Sequence, residues 1–211
     1  VTVAGMSLDR QCASGMMAIA TAAKQVMYDG MDIVIGGGVE SISMVQTPEM
    51  RVGSDKWLKD NKPEMYMTML ETAENVATRF NISREAQDAY AAQSQERTHA
   101  AQQAGKLDDE VVAMSTTMMI QNKETKEITS HDVTIEKDEG NRPGTSAESL
   151  AGLKPVFKDG LNLQTGEFIT AGNASQLSDG ASASIVMEAS LAEKKGLEPL
   201  GRYVGVMAAG C

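Results

Sequence analysis

Cys12 is the residue whose type and position most directly indicate chemistry. It lies in Arg10-Gln-Cys-Ala-Ser-Gly, at the junction of a predicted strand and a predicted helix. The free N–H groups and the dipole of a helix N-terminus favour the thiolate, which is the nucleophilic form of cysteine. Small residues at 13–15 leave room for a substrate carbonyl, and the Cys12 N–H could donate to an oxyanion. From the residue alone, a buried cysteine that acts as a small apolar side chain is the commoner alternative.

The segments around Cys12 predict a strand–helix–strand unit. Residues 1–9 are predicted to form a strand and turn, and apolar residues at helical spacing then run from Cys12 to Tyr28. The apolar run at 32–38 is typical of a buried strand in a parallel sheet. This order predicts an α/β sheet with a right-handed crossover. The glycines at 36–38 lack the G-x-G-x-x-G spacing of a dinucleotide site, and we expect them to allow close backbone approach.

Local sequence signals predict further helices and strands in the rest of the chain. Ser83 is a good N-cap, and Gly105 is suited to ending the helix that follows it. The stretch from Pro48 to Pro63 is polar and irregular. The predicted helices are 67–79, 83–104, 146–150 and 190–195, and the predicted strands are 110–120, 127–135, 168–171, 181–187 and 200–209.

Composition and charge exclude several function classes. The chain has 211 residues and a net charge of −10, which argues against general nucleic-acid binding. No apolar run approaches the ~20 residues of a membrane span. Two cysteines, Cys12 and Cys211, are too few for a disulfide-dense scaffold or a cysteine-based zinc cluster, and we expect no metal site. Both ends interrupt apolar elements, so we expect an internal fragment in which a targeting segment would not be visible.

Four motifs in order resemble the thiolase family, the acetyl-CoA acyltransferases. Residues 7–19, Ser-Leu-Asp-Arg-Gln-Cys-Ala-Ser-Gly-Met-Met-Ala-Ile, resemble its nucleophile motif. Residues 36–44, 72–77 and 170–181 resemble three further family segments. The resemblance covers essentially the whole chain.

This resemblance implies a thiolase-like layered α/β/α sheet domain interrupted by a helical insertion and truncated at both ends. Residues 1–46 and 168–198 would belong to the N-terminal sheet domain. Residues 47–167 would form the insertion, or loop, domain that covers coenzyme A (CoA). Residues 199–211 would be the first strand of a C-terminal domain.

The resemblance also implies a reaction and its residues. Cys12 would be the catalytic nucleophile that attacks a 3-ketoacyl-CoA and carries the acyl group as a thioester, in fatty-acid metabolism. CoA is then a substrate, and no separate cofactor is implied. The residues that match CoA-contacting positions of the family are Arg142, Ser149, Ser175 and Met69. Arg142 would supply a local cation for the CoA phosphates, whereas Lys123, Lys126 and Lys137 are interpreted as solvated loop residues.

Three family motifs are missing from these 211 residues. They are the Gly-His-Pro motif of the activating base, the glycine-rich motif of the second cysteine, and the Asn-Glu-Ala-Phe motif that positions a water. His99 and His131 have other neighbours and are interpreted as surface residues, and Cys211 as the end of a strand. We therefore expect this chain alone to be inactive.

Two alternatives stay open at this stage. One is a decarboxylating ketoacyl synthase, which also places a cysteine at a buried helix N-terminus; the Gly-Asn-Ala-Ser turn and the long helical insertion count against it. The other is a non-catalytic, thiolase-like lipid-binding protein, which the intact Cys12 motif disfavours. We expect a homodimer or homotetramer when full length, located in the cytoplasm, or in mitochondria or peroxisomes of a eukaryote.

Overall fold

A computed structural model describes residues 2–50 and 53–209 of the chain. The chain folds as two compact units, which are residues 1–51 together with 177–211, and residues 52–176. The first unit contains helices α1 (Ser14–Tyr28), α2 (Ile42–Val45) and α7 (Ala189–Lys194) and strands β1 (Ile33–Glu40) and β4 (Gly180–Met187). The second contains helices α3 (Lys56–Asn61), α4 (Met69–Phe80), α5 (Arg84–Gln103) and α6 (Ala147–Ala151) and strands β2 (Met114–Gln121) and β3 (Ile128–Ile135).

The first unit is built on a two-stranded sheet covered by α1. Strands β1 and β4 pair antiparallel, with Ile33 opposite Met187 and Glu40 opposite Gly180. Helix α1 packs on both strands through a surface of small residues, of which Ala20, Ala22 and Ala23 are buried. Gly30, at φ +71°, follows the end of α1 in the left-handed conformation that glycine adopts without strain.

The predicted close approach at the glycines is confirmed at two positions. A Cβ at Gly36 would lie 3.0 Å from the Ala18 carbonyl oxygen, so this glycine lets α1 approach β1. A Cβ at Gly37 would lie 2.8 Å from the Ser182 carbonyl oxygen on β4. Because α1 begins at Ser14, two residues after Cys12, these glycines allow the helix that follows Cys12 to lie close against the sheet.

The predicted parallel strand–helix–strand unit is not formed in this structure. Residues 2–10 form no strand, and β1 pairs only with β4, which runs in the opposite direction, among the described residues. The predicted strand at 200–209 is also wrong, because that segment has no regular secondary structure. A strand is defined by hydrogen bonds to a neighbour, and apolar runs alone do not supply that neighbour.

The second unit combines a helical layer with a β-hairpin. Ser83 caps α5 by accepting the Ala86 N–H at 3.2 Å, and Gly105 follows the helix at φ +65°, as predicted. Strands β2 and β3 pair antiparallel around the predicted turn, where Asn122 Oδ1 accepts the N–H groups of Glu124 and Thr125. In the stretch predicted as irregular, residues 48–63, the short helix α3 begins after Asp55, whose side chain caps it.

Carboxylates occupy the interior of the second unit. Glu71 and Glu74 on α4 are each 1% exposed, and Asp88 on α5 is 2% exposed. The apolar residues Ala77, Leu150, Phe157 and Ile169 of the same unit are also buried. Buried carboxylates are costly unless hydrogen-bonded donors compensate them, so their partners determine how this unit is held together.

Backbone N–H groups compensate both glutamates of α4. The Glu71 carboxylate accepts from the N–H groups of residues 161, 162 and 163 at 2.8, 2.5 and 3.1 Å. The Glu74 carboxylate accepts from those of residues 167, 168 and 169 at 2.8 to 3.1 Å. The predicted strand at 168–171 is therefore wrong for a specific reason. The N–H groups of Phe168 and Ile169 bind a side chain, and the segment forms only an isolated bridge between Thr170 and Pro155.

Candidate active site and CoA-contacting loops

Cys12 lies on a tight turn directly before α1. It is the middle residue of a short 3-10 helix, Gln11–Ala13, which passes into α1 at Ser14. The Asp9 carboxylate accepts the Gln11 N–H at 2.8 Å. The Ser14 hydroxyl accepts the Arg10 N–H and donates to the Gln11 carbonyl, both at 2.7 Å. The turn on either side of the cysteine is thus held by short-range hydrogen bonds.

The residue before the cysteine has an unusual backbone conformation. Gln11 has φ +50°, in the left-handed region that residues other than glycine rarely adopt. Such a conformation costs energy and persists where its surroundings enforce it. Here the Asp9 and Ser14 hydrogen bonds provide that enforcement. The side chain of Cys12 is exposed, so the buried-cysteine alternative does not describe this structure.

Arg142 lies at the start of a short turn in the second unit, and Ser149 lies in the short helix α6. The Arg142 backbone is bonded on both sides: its N–H donates to Gln95 Oε1 at 2.9 Å, and its carbonyl accepts the Thr145 hydroxyl at 2.7 Å. Its exposed side chain makes no hydrogen bond or ion pair with the residues that the structure describes. The Ser149 hydroxyl belongs to the capping box of α6, where it accepts the Ser146 N–H and donates to the Ser146 carbonyl.

Ser175 follows a turn that is strongly constrained by Asn173. The Asn173 side chain accepts the Thr170 N–H at 2.8 Å and donates to the Phe168 carbonyl at 2.9 Å. The Thr170 hydroxyl in turn accepts the N–H groups of Gly172 and Asn173, both at 3.2 Å. Ser175 itself is exposed. The backbone that leads to Ser175 is therefore fixed, and the Ser175 hydroxyl lies 3.4 Å from the Gln176 carbonyl, to which it donates.

Two glycines show that the segments carrying these residues are packed against one another. A Cβ at Gly140, two residues before Arg142, would collide with the side-chain amide of Gln176, the residue after Ser175. A Cβ at Gly172 would collide with the side chains of Leu150 and Leu153, at the end of α6. The structure thus brings together the segments of Arg142, Ser149 and Ser175. Met69, the first residue of α4, is 79% exposed and makes no such contact in the described residues.

His131 and the three lysines that were interpreted as surface residues are exposed, whereas His99, also interpreted as a surface residue, is half-buried. His131 lies on the exposed face of β3, where its Nε2 is 3.0 Å from the Thr129 hydroxyl, and His99 is half-buried on α5. Lys123, Lys126 and Lys137 are exposed. Cys211 lies outside the described residues.

A sequence model described as "Thiolase, N-terminal domain" matches residues 1–190. The chain belongs to the thiolase family. It is 42% identical over 206 residues to a protein named 3-ketoacyl-CoA thiolase, peroxisomal, from Yarrowia lipolytica, with 96% of this chain and 47% of the relative covered. It is 38% identical over 203 residues to a 3-ketoacyl-CoA thiolase of Bacillus subtilis, with 96% of this chain and 50% of the relative covered.

Solved thiolase structures have the same fold. The dimeric peroxisomal thiolase of Saccharomyces cerevisiae aligns with a TM-score of 0.73 at 33% identity, over 93% of this chain and 46% of that one. The acetyl-CoA acetyltransferase of Bacillus anthracis aligns with a TM-score of 0.65 at 34% identity, over 92% and 48%. The predicted thiolase-like α/β fold is confirmed, and the chain spans about half the length of the thiolases it matches.

Several residues that hold the segments of the candidate site together were not predicted from the sequence. Gln95 on α5 binds the Arg142 segment, and Asp88 on the same helix binds Asn173. The acidic pair Glu71 and Glu74 on α4 was not signalled by the apolar pattern of that helix, because the large apolar residues Met69, Val76 and Phe80 lie on another face and are exposed. No local signal indicates that Gln11 has a positive φ.

The described residues contain no helix long and apolar enough to cross a membrane and no group of three or more His, Cys, Asp or Glu side chains placed to hold a metal ion.

Proposed function

We propose that the protein transfers acyl groups between CoA thiols through a thioester on Cys12, by thiolysis of a 3-ketoacyl-CoA or by the reverse Claisen condensation. The observation that carries this proposal is the exposed Cys12 on its hydrogen-bonded turn at the start of α1. A thiol on a turn before a helix has free backbone N–H groups nearby and is accessible to a substrate carbonyl. The relatives named 3-ketoacyl-CoA thiolase support this assignment.

The reaction proceeds in two acyl-transfer steps. The Cys12 thiolate attacks carbon 3 of the 3-ketoacyl-CoA, and the bond between carbons 2 and 3 breaks. Carbon 2 gains a proton and leaves as acetyl-CoA, while the acyl group stays on the Cys12 sulfur as a thioester. The thiol of a second CoA loses its proton, attacks this thioester and releases the shortened acyl-CoA. Cys12 departs as the thiolate that begins the next cycle.

The backbone near Cys12 suits the charge that develops in both steps. Each attack passes through a tetrahedral intermediate whose oxygen carries negative charge, and N–H donors aimed at that oxygen lower the barrier. The Cys12 N–H makes no hydrogen bond within the described residues, so it is one such donor. The family motifs for the base and the proton shuttle are not in this sequence, and the protons are not assigned to residues of this chain.

In this proposal the second unit binds CoA. Arg142 contacts the phosphates of the nucleotide, Ser149 lines the same wall, and Ser175 and Met69 lie along the pantetheine. The exposure of these four residues and the mutual packing of the segments that carry the first three support the assignment. CoA serves as a substrate, and no separate cofactor is proposed.

The oligomeric state of the complete protein and its location in the cell are also part of the proposal. We expect the complete protein to form a homodimer or homotetramer; the thiolase structure from Saccharomyces cerevisiae is described as dimeric. We expect it to act in the cytoplasm, or in mitochondria or peroxisomes if its source is a eukaryote. Relatives named peroxisomal, and one from a bacterium, are compatible with either location.

Mass spectrometry of the acyl-enzyme tests the function directly. The protein from its complete reading frame is mixed with a 3-ketoacyl-CoA and quenched, and the acyl adduct is mapped to a peptide. We expect the adduct on Cys12 and its loss in Cys12→Ala, while Cys211→Ala, at the second cysteine of this sequence, retains it. An adduct that persists in Cys12→Ala would refute the assignment of the nucleophile.

A further inference from the structure

We propose that one polar face of α5 positions the three CoA-contacting segments of the second unit, and that Gln95 is the positioning residue for Arg142. The inference rests on the proposed function, because it concerns how CoA is held. The side chains of this polar face, which we call the α5 stripe, are Arg84, Asp88, Gln95 and Gln102. Their spacings of four, seven and seven residues place them along one side of a helix with 3.6 residues per turn.

Each member of the α5 stripe binds a segment of the CoA-contacting region. Arg84 donates to the carbonyls of Leu150 and Leu153, at the end of the helix that carries Ser149. Asp88 accepts the side-chain N–H of Asn173 at 2.9 Å, in the turn that leads to Ser175. Gln102 donates to the Asp138 carbonyl at 3.1 Å, near the start of the segment that leads to Arg142.

Arg84 and Asp88 also hold each other. The Arg84 Nε lies 2.8 Å from Asp88 Oδ2, and their side chains are 18% and 3% exposed. The Asp88 carboxylate therefore binds Arg84 through one oxygen and Asn173 through the other. Because both oxygens of the buried Asp88 carboxylate are used and Arg84 also binds the Leu150 and Leu153 carbonyls, this pair connects two of the three segments.

Gln95 connects the third segment, and its contacts are the most direct. Gln95 Oε1 accepts the Arg142 N–H and the Asn141 side-chain N–H, both at 2.9 Å. The Gln95 backbone carbonyl accepts the same Asn141 side chain at 2.8 Å. One half-buried side chain thus fixes two successive residues, Asn141 and Arg142, against the helix.

The backbone of Arg142 is held in place by hydrogen bonds, whereas its side chain remains available to a ligand. Its backbone is held by Gln95 on one side and by Thr145 on the other. Its guanidinium is exposed and forms no ion pair in the described residues, so it keeps its hydrogen-bond donors for an anion. Pre-positioning of a phosphate-binding arginine reduces the entropy lost on binding, and Gln95 provides that positioning.

The experiment compares CoA with a thiol that lacks the nucleotide. In the protein from its complete reading frame, kcat and KM of thiolysis are measured with CoA and with pantetheine as acyl acceptors. The variants are Gln95→Leu, which removes the acceptor oxygen, and Gln95→Glu, which retains it, assayed at 0.2 M salt to screen the added charge. Gln93→Leu is the matched control, because Gln93 is an exposed glutamine of the same helix with no side-chain hydrogen bond in the described residues.

We expect a specific effect on the nucleotide end of CoA. Gln95→Leu should raise the KM for CoA by about 3- to 10-fold, the loss typical of one or two neutral hydrogen bonds, with kcat unchanged. The KM for pantetheine should not change, and Gln95→Glu should restore the wild-type KM for CoA. In a double-mutant cycle, Gln95→Leu should add little to Arg142→Ala, because the residue it positions is then already missing.

Several results would overturn the inference. An unchanged KM for CoA in Gln95→Leu, an equal rise with pantetheine, or full additivity with Arg142→Ala each contradicts it. If Gln95→Leu does not fold, Thr145→Val removes the hydroxyl that donates to the Arg142 carbonyl and must show the same dependence on the nucleotide. If the wild type is active and Gln95→Leu leaves the KM for CoA unchanged, this inference alone is overturned. A wild type without thiolysis overturns the proposed function and this inference with it.

Discussion

The buried Glu74 carboxylate is the most informative position for testing how the second unit is held together. It is 1% exposed and accepts the N–H groups of Glu167, Phe168 and Ile169. The Phe168 N–H lies 3.1 Å from both oxygens, so the two oxygens together serve three donors. Glu74→Gln keeps the shape of the side chain and replaces one acceptor oxygen with an NH₂ group, which is itself a donor. We predict that this variant is strongly destabilised.

The magnitude follows from the donors that lose their partner. At least one of the three N–H groups then faces an NH₂ group, and a buried donor without a partner costs about 1–3 kcal/mol. The hydrogen bonds to the remaining oxygen also lose the strengthening that the negative charge provides, about 1 kcal/mol in total. We therefore expect Glu74→Gln to lower the free energy of unfolding by about 2–4 kcal/mol. Glu96→Gln, at an exposed position of α5, should change it by less than about 0.5 kcal/mol.

Urea unfolding and hydrogen exchange measure these effects. With a urea m value of about 2 kcal/mol/M, Glu74→Gln should lower the midpoint of the second unit by about 1–2 M. Amide exchange at residues 167–169 should accelerate in the variant, because these are the N–H groups that Glu74 binds. If Glu74→Gln unfolds at the same urea concentration as Glu96→Gln, the carboxylate does not hold this segment and the reasoning is refuted.

Four further predictions concern the site and its supports. Arg142→Ala should raise the KM for CoA by about 10-fold or more and reduce its dependence on salt, since charge-assisted hydrogen bonds to phosphate are lost; unchanged steady-state kinetics would contradict the assignment. Burial disfavours the charged form of Glu71, but N–H groups from Asn162 and its neighbours outweigh it and hold the pKa of Glu71 below its ordinary value of 4.5. The charged Glu71 therefore contributes stability above pH 4.5, and this contribution is lost as the pH falls through the lower folded pKa. Glu71→Gln should consequently weaken the fall in the free energy of unfolding at acid pH. A stability–pH curve parallel to that of the wild type would contradict this. Gln11→Val should reduce acylation of Cys12 more than Gln11→Gly, because a β-branched residue tolerates φ +50° poorly; equal acylation rates would show that the turn does not depend on this conformation. The purified 211-residue chain should show no thiolysis, and measurable turnover would mean that its base lies within this sequence.

The elements that could be predicted from the sequence are those specified by neighbouring residues. Helix α5 has a capping serine at one end and a glycine beyond the other, and both signals lie within the segment itself. The β2–β3 hairpin is similarly local, because the Asn122 turn brings its two strands together. The turn at Cys12 also depends on residues within five positions, which is why its place at the start of α1 could be predicted.

The elements predicted wrongly depend on partners far along the chain. Residues 168–171 have the apolar composition of a strand, but two of their N–H groups bind Glu74, about 94 positions earlier. Strand β1 was predicted in a parallel sheet, whereas its observed partner β4 runs antiparallel, with Glu40 opposite Gly180 and Ile33 opposite Met187. The composition of a segment indicates that it can be extended, but its pairing depends on which acceptors the rest of the fold brings to it.

Arg84 and Arg142 show that sequence composition also cannot assign roles to residues within the candidate site. Both are arginines of the second unit in a chain of net charge −10, and composition alone gives no reason to assign them different roles. In the structure the charge of Arg84 is used internally, by Asp88 and by two backbone carbonyls. Arg142 instead has its backbone bound and its side chain unpaired among the described residues. Of these two arginines, Arg142 therefore has the available guanidinium, because Arg84 is already paired with a buried carboxylate. The internal pair connects the segments, and the exposed arginine is the one that our proposal assigns to the phosphates of CoA.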